Sequence, residues 1–255
     1  MHAEQNRTPK TRASIGASTW LLVALATLGL VFAGSIFLAT ASGAWVKQNL
    51  NWLFGADTVQ LWWYVTRTAG IVAYLLLWLS TAWGLAVPTK MLDGLLERWA
   101  SFDFHQFISL LAIGFLGLHI GVLALDRYLP YSGLQILVPF LSPYRPFWVG
   151  IGVISFYLIL LVTITYYIRT RIGMKAFRAI HVLSLLAYVG ATFHGLYSGT
   201  DSPLVAMQLL YEITGLVVIF LTVYWLVVLF QKRLETSREQ KRALAQHHHR
   251  HSHSG

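Results

Sequence analysis

The chain of 255 residues contains no cysteine. Disulfides, cysteine-ligated zinc, iron–sulfur clusters and haem attached through C-x-x-C-H are therefore excluded. Charge is also scarce, with Asp, Glu, Lys and Arg together making up 11% of residues. Hydrophobic residues make up 56%, a membrane composition and not that of a soluble domain. Acidic residues are the rarer sign, 10 against 19 Lys and Arg, which leaves a formal charge of +9. The basic residues cluster at the ends of apolar runs and in the tails. That pattern fits orientation in a lipid bilayer and argues against nucleic acid as a partner. No short repeat and no second soluble domain can be discerned.

What the chain does have is six long apolar runs, each near the length that crosses a bilayer. They are Trp20–Ala41, Trp62–Val87, Phe104–Leu125, Trp148–Ile168, Phe177–Tyr197 and Leu204–Phe230. The expected fold is an all-α membrane protein, a six-transmembrane-helix bundle. Residues 1–19 form a basic N-terminal segment, 20–230 the membrane domain and 231–255 a basic, His-rich tail.

Connections 88–103 and 169–178, together with the tail, carry most of the Lys and Arg, whereas 198–203 has none. The positive-inside rule then puts both termini in the cytoplasm. A basic start, an apolar stretch and Ala39-Thr40-Ala41 also describe a cleavable signal peptide. The stretch exceeds the usual signal length, which favours a retained helix. Connection 126–147 has an apolar middle, Leu134–Leu141, and four prolines. It reads as a broken amphipathic cap at the outer interface or as a plain ordered loop.

Of ten histidines, one is residue 2 and five lie in the last nine residues. The other four fall in two apolar runs as pairs: His105 with His119, and His181 with His194. At about 1.5 Å of rise per residue each pair spans roughly 20 Å, much of a hydrocarbon core of about 30 Å. The third and fifth runs both go from inside to outside. His105 and His181 therefore share the inner depth, and His119 and His194 the outer.

An imidazole in hydrocarbon is expensive unless something binds it. Two imidazoles at each depth suit a stack of two bis-histidine haems. Zinc or copper is disfavoured, because two histidines without Cys, Asp or Glu make a thin ligand set. Buried, hydrogen-bonded imidazoles are the ordinary alternative.

Helical phase is uneven. Fourteen steps from His105 to His119 fall about 40° short of four turns, so these side chains share a face. Thirteen steps from His181 to His194 fall about 140° short, and a crossing angle, an irregularity near Gly190 or side-chain torsion must absorb the difference. Gly114, Gly117 and Gly121, with Ala187, Gly190 and Ala191, leave room for a macrocycle edge or serve ordinary small-residue packing.

Arg67 sits near the outer depth. It is a candidate partner for a propionate or a small anion, a snorkelling interfacial residue, or half of an ion pair with Glu212. Arg178, one turn before His181, is the corresponding inner candidate, or one more positive-inside residue. Asp103 is a weaker candidate beside His105. Trp62, Trp63, Tyr64, Trp148 and Tyr197 read as an interfacial belt. The run of histidines from His247 to His253 is a possible metal-binding tract or an unstructured end, with no role in the membrane core.

Thr66-Arg67-Thr68-Ala69-Gly70, Phe102-Asp103-Phe104-His105 with His119, and Arg178-Ala179-Ile180-His181 with Phe193-His194-Gly195 resemble the ferric-reductase-like transmembrane domain family. That family comprises the membrane parts of ferric reductases and NADPH oxidases, and bacterial haem-subunit relatives. The likeness covers about residues 60–230. It implies two haems b, with His105 and His181 on the inner iron and His119 and His194 on the outer. It also implies single-electron transfer across the membrane, from a cytoplasmic flavoprotein or NAD(P)H-linked donor to ferric iron, oxygen or an extracytoplasmic reductase subunit.

No G-x-G-x-x-G unit follows the last run, so any flavin belongs to a separate chain. That is the arrangement of the bacterial branch and points to a bacterial cell membrane. The chain would then be an oxidoreductase component. The main rival is a haem-free transporter or channel using the histidines as proton or ion sites. A membrane assembly subunit with structural haem is a third reading, and the arginine–glycine opening of the second run ranks the quinol- or ascorbate-linked b cytochromes below the ferric-reductase-like family.

Overall fold

In hydrocarbon every backbone N–H and C=O must be satisfied within its own segment, so uncharged apolar runs become helices. The computed structural model describes residues 61–89, 91, 98–125 and 131–252, whose regular elements are all helices, with no strand among them. Side chains of 98–100 and 242–252 are excepted. The expected first helix, Trp20–Ala41, and the N-terminal segment lie outside the described residues.

The helices are α1 (Leu61–Ala86), α2 (Arg98–Leu123), α3 (Gly133–Leu137), α4 (Pro146–Tyr167), α5 (Arg169–Ile172), α6 (Met174–His181), α7 (Leu183–Ser198) and α8 (Val205–Ser252). Five stretches among the described residues are long and apolar enough to cross a membrane: Leu61–Thr89, Ser101–Leu123, Pro146–Tyr167, Met174–Ser198 and Val205–Lys241.

Local chemistry explains the boundaries. Pro88 turns the end of α1 into a short 3-10 segment, Val87–Thr89. Pro146 opens α4 at a position whose N–H has no helical partner anyway. Gly173, with φ of 83°, separates α5 from α6 in a conformation that favours glycine. In the described part of the proline-rich connection, α3 is opened by a reciprocal capping box. Ser132 Oγ accepts from the Gln135 N–H, and the Gln135 side chain accepts from the Ser132 N–H.

Three features differ from the sequence expectation. The break in the fifth span falls at Val182, directly after His181, and not near Gly190. Gly190 instead lets α7 approach Ser155 and Ile151 of α4. The last helix continues well past Phe230, to Ser252. Segment 231–246 has neither Gly nor Pro and is rich in Lys, Arg, Glu and Gln, so helix propensity persists after the apolar run ends.

Two antiparallel hairpins dominate the packing, α1 with α2 and α4 with α7. Helix α8 closes one side against α1 and α7. There the core contains Tyr74, Leu85, Tyr188, Tyr211, Val218 and Leu221. The Tyr74 hydroxyl lies 3.1 Å from that of Tyr188 and 2.7 Å from Thr214 Oγ1, joining three helices inside the bundle. Helix α2 is not packed closely on α7. The two stand across an interior cavity.

Candidate cofactor site

The cavity between the hairpins measures about 1310 Å³, and its lining includes all four membrane histidines. It exceeds the roughly 300–1,000 Å³ of an ordinary small-molecule pocket. At one end it reaches Arg67, Asp201 and Tyr144; at the other Met174, Phe177 and Arg178.

Across it the imidazoles meet in two pairs. The rings of His105 and His181 have centroids 6.2 Å apart with planes at 75°. Those of His119 and His194 are 6.3 Å apart, also at 75°. One ion held at about 2.0–2.1 Å by a nitrogen of each of two opposed imidazoles separates the centroids by about 6.3 Å.

The hydrogen bonds show which nitrogens are free. His119 Nδ1 donates to the Thr66 carbonyl at 2.8 Å, and His194 Nδ1 to the Trp148 carbonyl at 3.0 Å. A carbonyl only accepts, so Nδ1 carries the proton and Nε2 keeps its lone pair for a metal. At the other level, Ser109 Oγ donates to the His105 carbonyl at 2.7 Å and therefore accepts from Ser80 Oγ at 2.6 Å. Ser80 thus turns its lone pairs toward His105 Nδ1, 3.5 Å away. His181 Nδ1 is buried without a partner, and the Phe177 ring packs beside it at 5.1 Å.

Glycines allow the rings to lie this close to backbone. A Cβ at Gly70 would stand 2.8 Å from His119 Nδ1; one at Gly84, 3.1 Å from His105 Cε1; one at Gly152, 2.5 Å from His194 Nδ1. Gly70 and Gly84 are separated by fourteen residues, as are His105 and His119. In an antiparallel hairpin, equal spacing brings each glycine opposite one histidine. Gly114, expected to make room for a macrocycle, has nothing within 4 Å of an added Cβ and does not line the cavity.

No group of three or more His, Cys, Asp or Glu converges anywhere among the described residues. Each level therefore offers two axial donors and nothing equatorial. A bare zinc ion would lack ligands. A metal that brings its own planar ligand set needs only the two that are present, and a large apolar-walled cavity to lie in. The residues fit haem b on this count, on the ring separation and, for His119 and His194, on the free Nε2 atoms.

Arg67 pairs with Asp201, not Glu212, and its guanidinium lies 3.9 Å from the centroid of Trp63. Asp201 belongs to the turn between α7 and α8, level with Arg67, whereas Glu212 is exposed further along α8. Arg178 and Asp103 are both exposed, and Arg178 lines the end of the cavity near His181. The belt residues Trp148 and Tyr197 stack with centroids 4.1 Å apart. Trp148 also anchors His194 through its carbonyl, a role that side-chain identity does not advertise. Ser80, Gly84 and Gly152 went unread in the sequence. For Gly84 the available signal was its fourteen-residue spacing from Gly70.

No family model matches this chain, and neither curated proteins nor solved structures gave a match.

Proposed function

We propose that this chain is a di-haem b-type membrane cytochrome that moves single electrons across the bilayer. One observation carries the reading. Two opposed imidazole pairs, at two levels of one cavity, have the ring separation of axial ligands on a shared ion. Haem bound at each level would supply a one-electron ferric/ferrous couple with both axial positions filled, suited to outer-sphere transfer and not to substrate binding.

The protein's part is to hold the imidazoles in one orientation and exclude water. The Thr66 and Trp148 carbonyls fix His119 and His194, and Ser80 with Ser109 steadies His105. Arg178 lies at one end of the cavity, where its cation would face the acidic edge of a macrocycle, whereas Arg67 at the other end is held by Asp201.

Arg169, Arg171, Lys175 and Arg178 lie at the His105/His181 end, which supports reading that end as cytoplasmic under the positive-inside rule. Electrons would enter there from a flavoprotein or NAD(P)H-linked reductase. They would leave from the His119/His194 end to ferric iron, oxygen or a partner reductase. This reading agrees with the resemblance of the histidine spacing to ferric-reductase-like membrane domains.

The test is spectroscopic. Purified protein supplied with haem should show a reversible b-type spectrum and two haems per chain. Vesicles carrying it should pass electrons from an enclosed reductant to an impermeant external oxidant. Colourless protein after full haem supply would overturn the proposal and favour the transporter reading.

A further inference from the structure

We infer that the two levels are electrochemically unequal, with the His105/His181 centre at the higher reduction potential. The inference rests on the haem reading above and concerns what this chain's own groups do to each iron.

The first ground is the hydrogen bond behind each ligand. An imidazole that donates its Nδ1–H to a strong acceptor becomes more basic at Nε2, favours ferric iron and lowers the potential. At the His119/His194 level both rings donate to peptide carbonyls, at 2.8 and 3.0 Å. At the His105/His181 level one ring faces Ser80, whose hydroxyl lies 3.5 Å away and whose backbone adds a contact, and the other has no partner for Nδ1. Two well-oriented, electron-rich ligands thus stand against two weakly supported ones.

The second ground is charge. Arg67, at the first level, is neutralised by Asp201. At the second, Arg178 lines the end of the cavity, Arg169, Arg171 and Lys175 lie on the same short helices, α5 and α6, and among the described residues of connection 88–103 Asp103 is the acidic one. Positive charge favours the reduced, less positive iron and raises its potential. Both effects have the same sign. An electron that enters from the basic end would rest on the inner centre. Its onward step would run uphill, and a membrane potential negative inside would assist it.

An anaerobic optical redox titration of the haem-loaded full chain tests this. Two one-electron waves should appear, differing at least tenfold in equilibrium constant, which is about 59 mV for one electron. His119→Ala should retain the higher wave. Ser80→Ala should move the higher wave further up and leave the lower one in place. Ser80→Thr, which keeps the hydroxyl, should move neither, which separates the electronic effect from a packing effect. Arg178→Gln should lower the higher wave.

A single wave, retention of the lower wave in His119→Ala, or movement of the lower wave in Ser80→Ala would overturn the ordering while leaving two haems in place. Absence of b-type pigment would instead remove the haem reading itself. The wild-type titration decides between one wave and two even if a variant fails to fold.

Discussion

The backbone of α1 at Gly70 touches the ring of His119, so that a Cβ at this position would stand 2.8 Å from Nδ1 and 3.0 Å from Cε1. The ring cannot retreat freely, because Nδ1 is also bonded to the Thr66 carbonyl on the same helix. Gly70→Ala must therefore tilt the imidazole or part the α1–α2 hairpin. Loss of ligand orientation of this kind costs about 10–100-fold in metal affinity. The expected result is selective loss of the outer haem in Gly70→Ala, measured as haem per chain and by its redox wave. Gly114→Ala, which meets nothing within 4 Å, should keep both haems. Equal haem content in the two variants would show that contact with Gly70 does not govern binding.

Ligand pairing makes a second prediction. His119 and His194 face one another, as do His105 and His181. If each pair shares an iron, His119→Ala and His194→Ala should give the same spectrum, with one b-type centre lost and the other kept. The double variant should then lose no more than either single one, because residues acting as a unit are not additive. His119→Ala combined with His181→Ala should lose both centres. Independent histidines would give additive losses in every combination, and haem quantitation with potentiometry separates the two patterns.

The bundle was far easier to read in the sequence than the environment of its histidines. Apolar runs declare helices in hydrocarbon because no other open-chain structure satisfies the backbone there, and the five described spans begin and end within a few residues of expectation, α2 and the long α8 apart. The overrun of α8 was hidden because hydropathy stops at Phe230 while helix propensity continues. The break at Val182 has no Gly or Pro to announce it, yet it falls between His181 and His194, the stretch where helical phase is mismatched. Matched histidine depth was legible from spacing alone. The partners of Nδ1 were not, because Thr66 and Trp148 act through carbonyls that every residue carries. Asp201 as the partner of Arg67 is not legible, because helix register cannot place the short turn that holds Asp201 level with it.

Ring orientation supplies a third prediction. The planes of both imidazole pairs cross at 75°, nearer perpendicular than parallel. Crossed axial planes keep the iron orbitals that receive electron density from each ring nearly equal in energy. The ferric centres should therefore give strongly anisotropic low-spin electron paramagnetic resonance spectra at low temperature. Spectra of the compact rhombic type, expected of parallel rings, would show that the imidazoles rotate when iron binds. Ser80→Ala, which loosens His105, should alter the signal of the inner centre alone.

The hydroxyl cluster where α1 meets α7 and α8 gives a prediction about stability and not electron transfer. Tyr74 meets Tyr188 at 3.1 Å and Thr214 at 2.7 Å, and its ring stacks on Tyr188 at 5.9 Å. Tyr74→Phe keeps the ring and removes the hydroxyl that joins α1, α7 and α8. Interhelical hydrogen bonds within membranes contribute about 0.6 kcal/mol on average and at most about 1.7 kcal/mol. The loss should thus be about 1 kcal/mol, measured by reversible unfolding in mild detergent, with both redox waves unmoved. In Tyr74→Phe, Thr214 still donates to the Leu210 carbonyl, 2.7 Å away, and is not left without a partner. A displaced redox wave in Tyr74→Phe would mean that this cluster communicates with the histidines, and its role would then extend beyond holding three helices together.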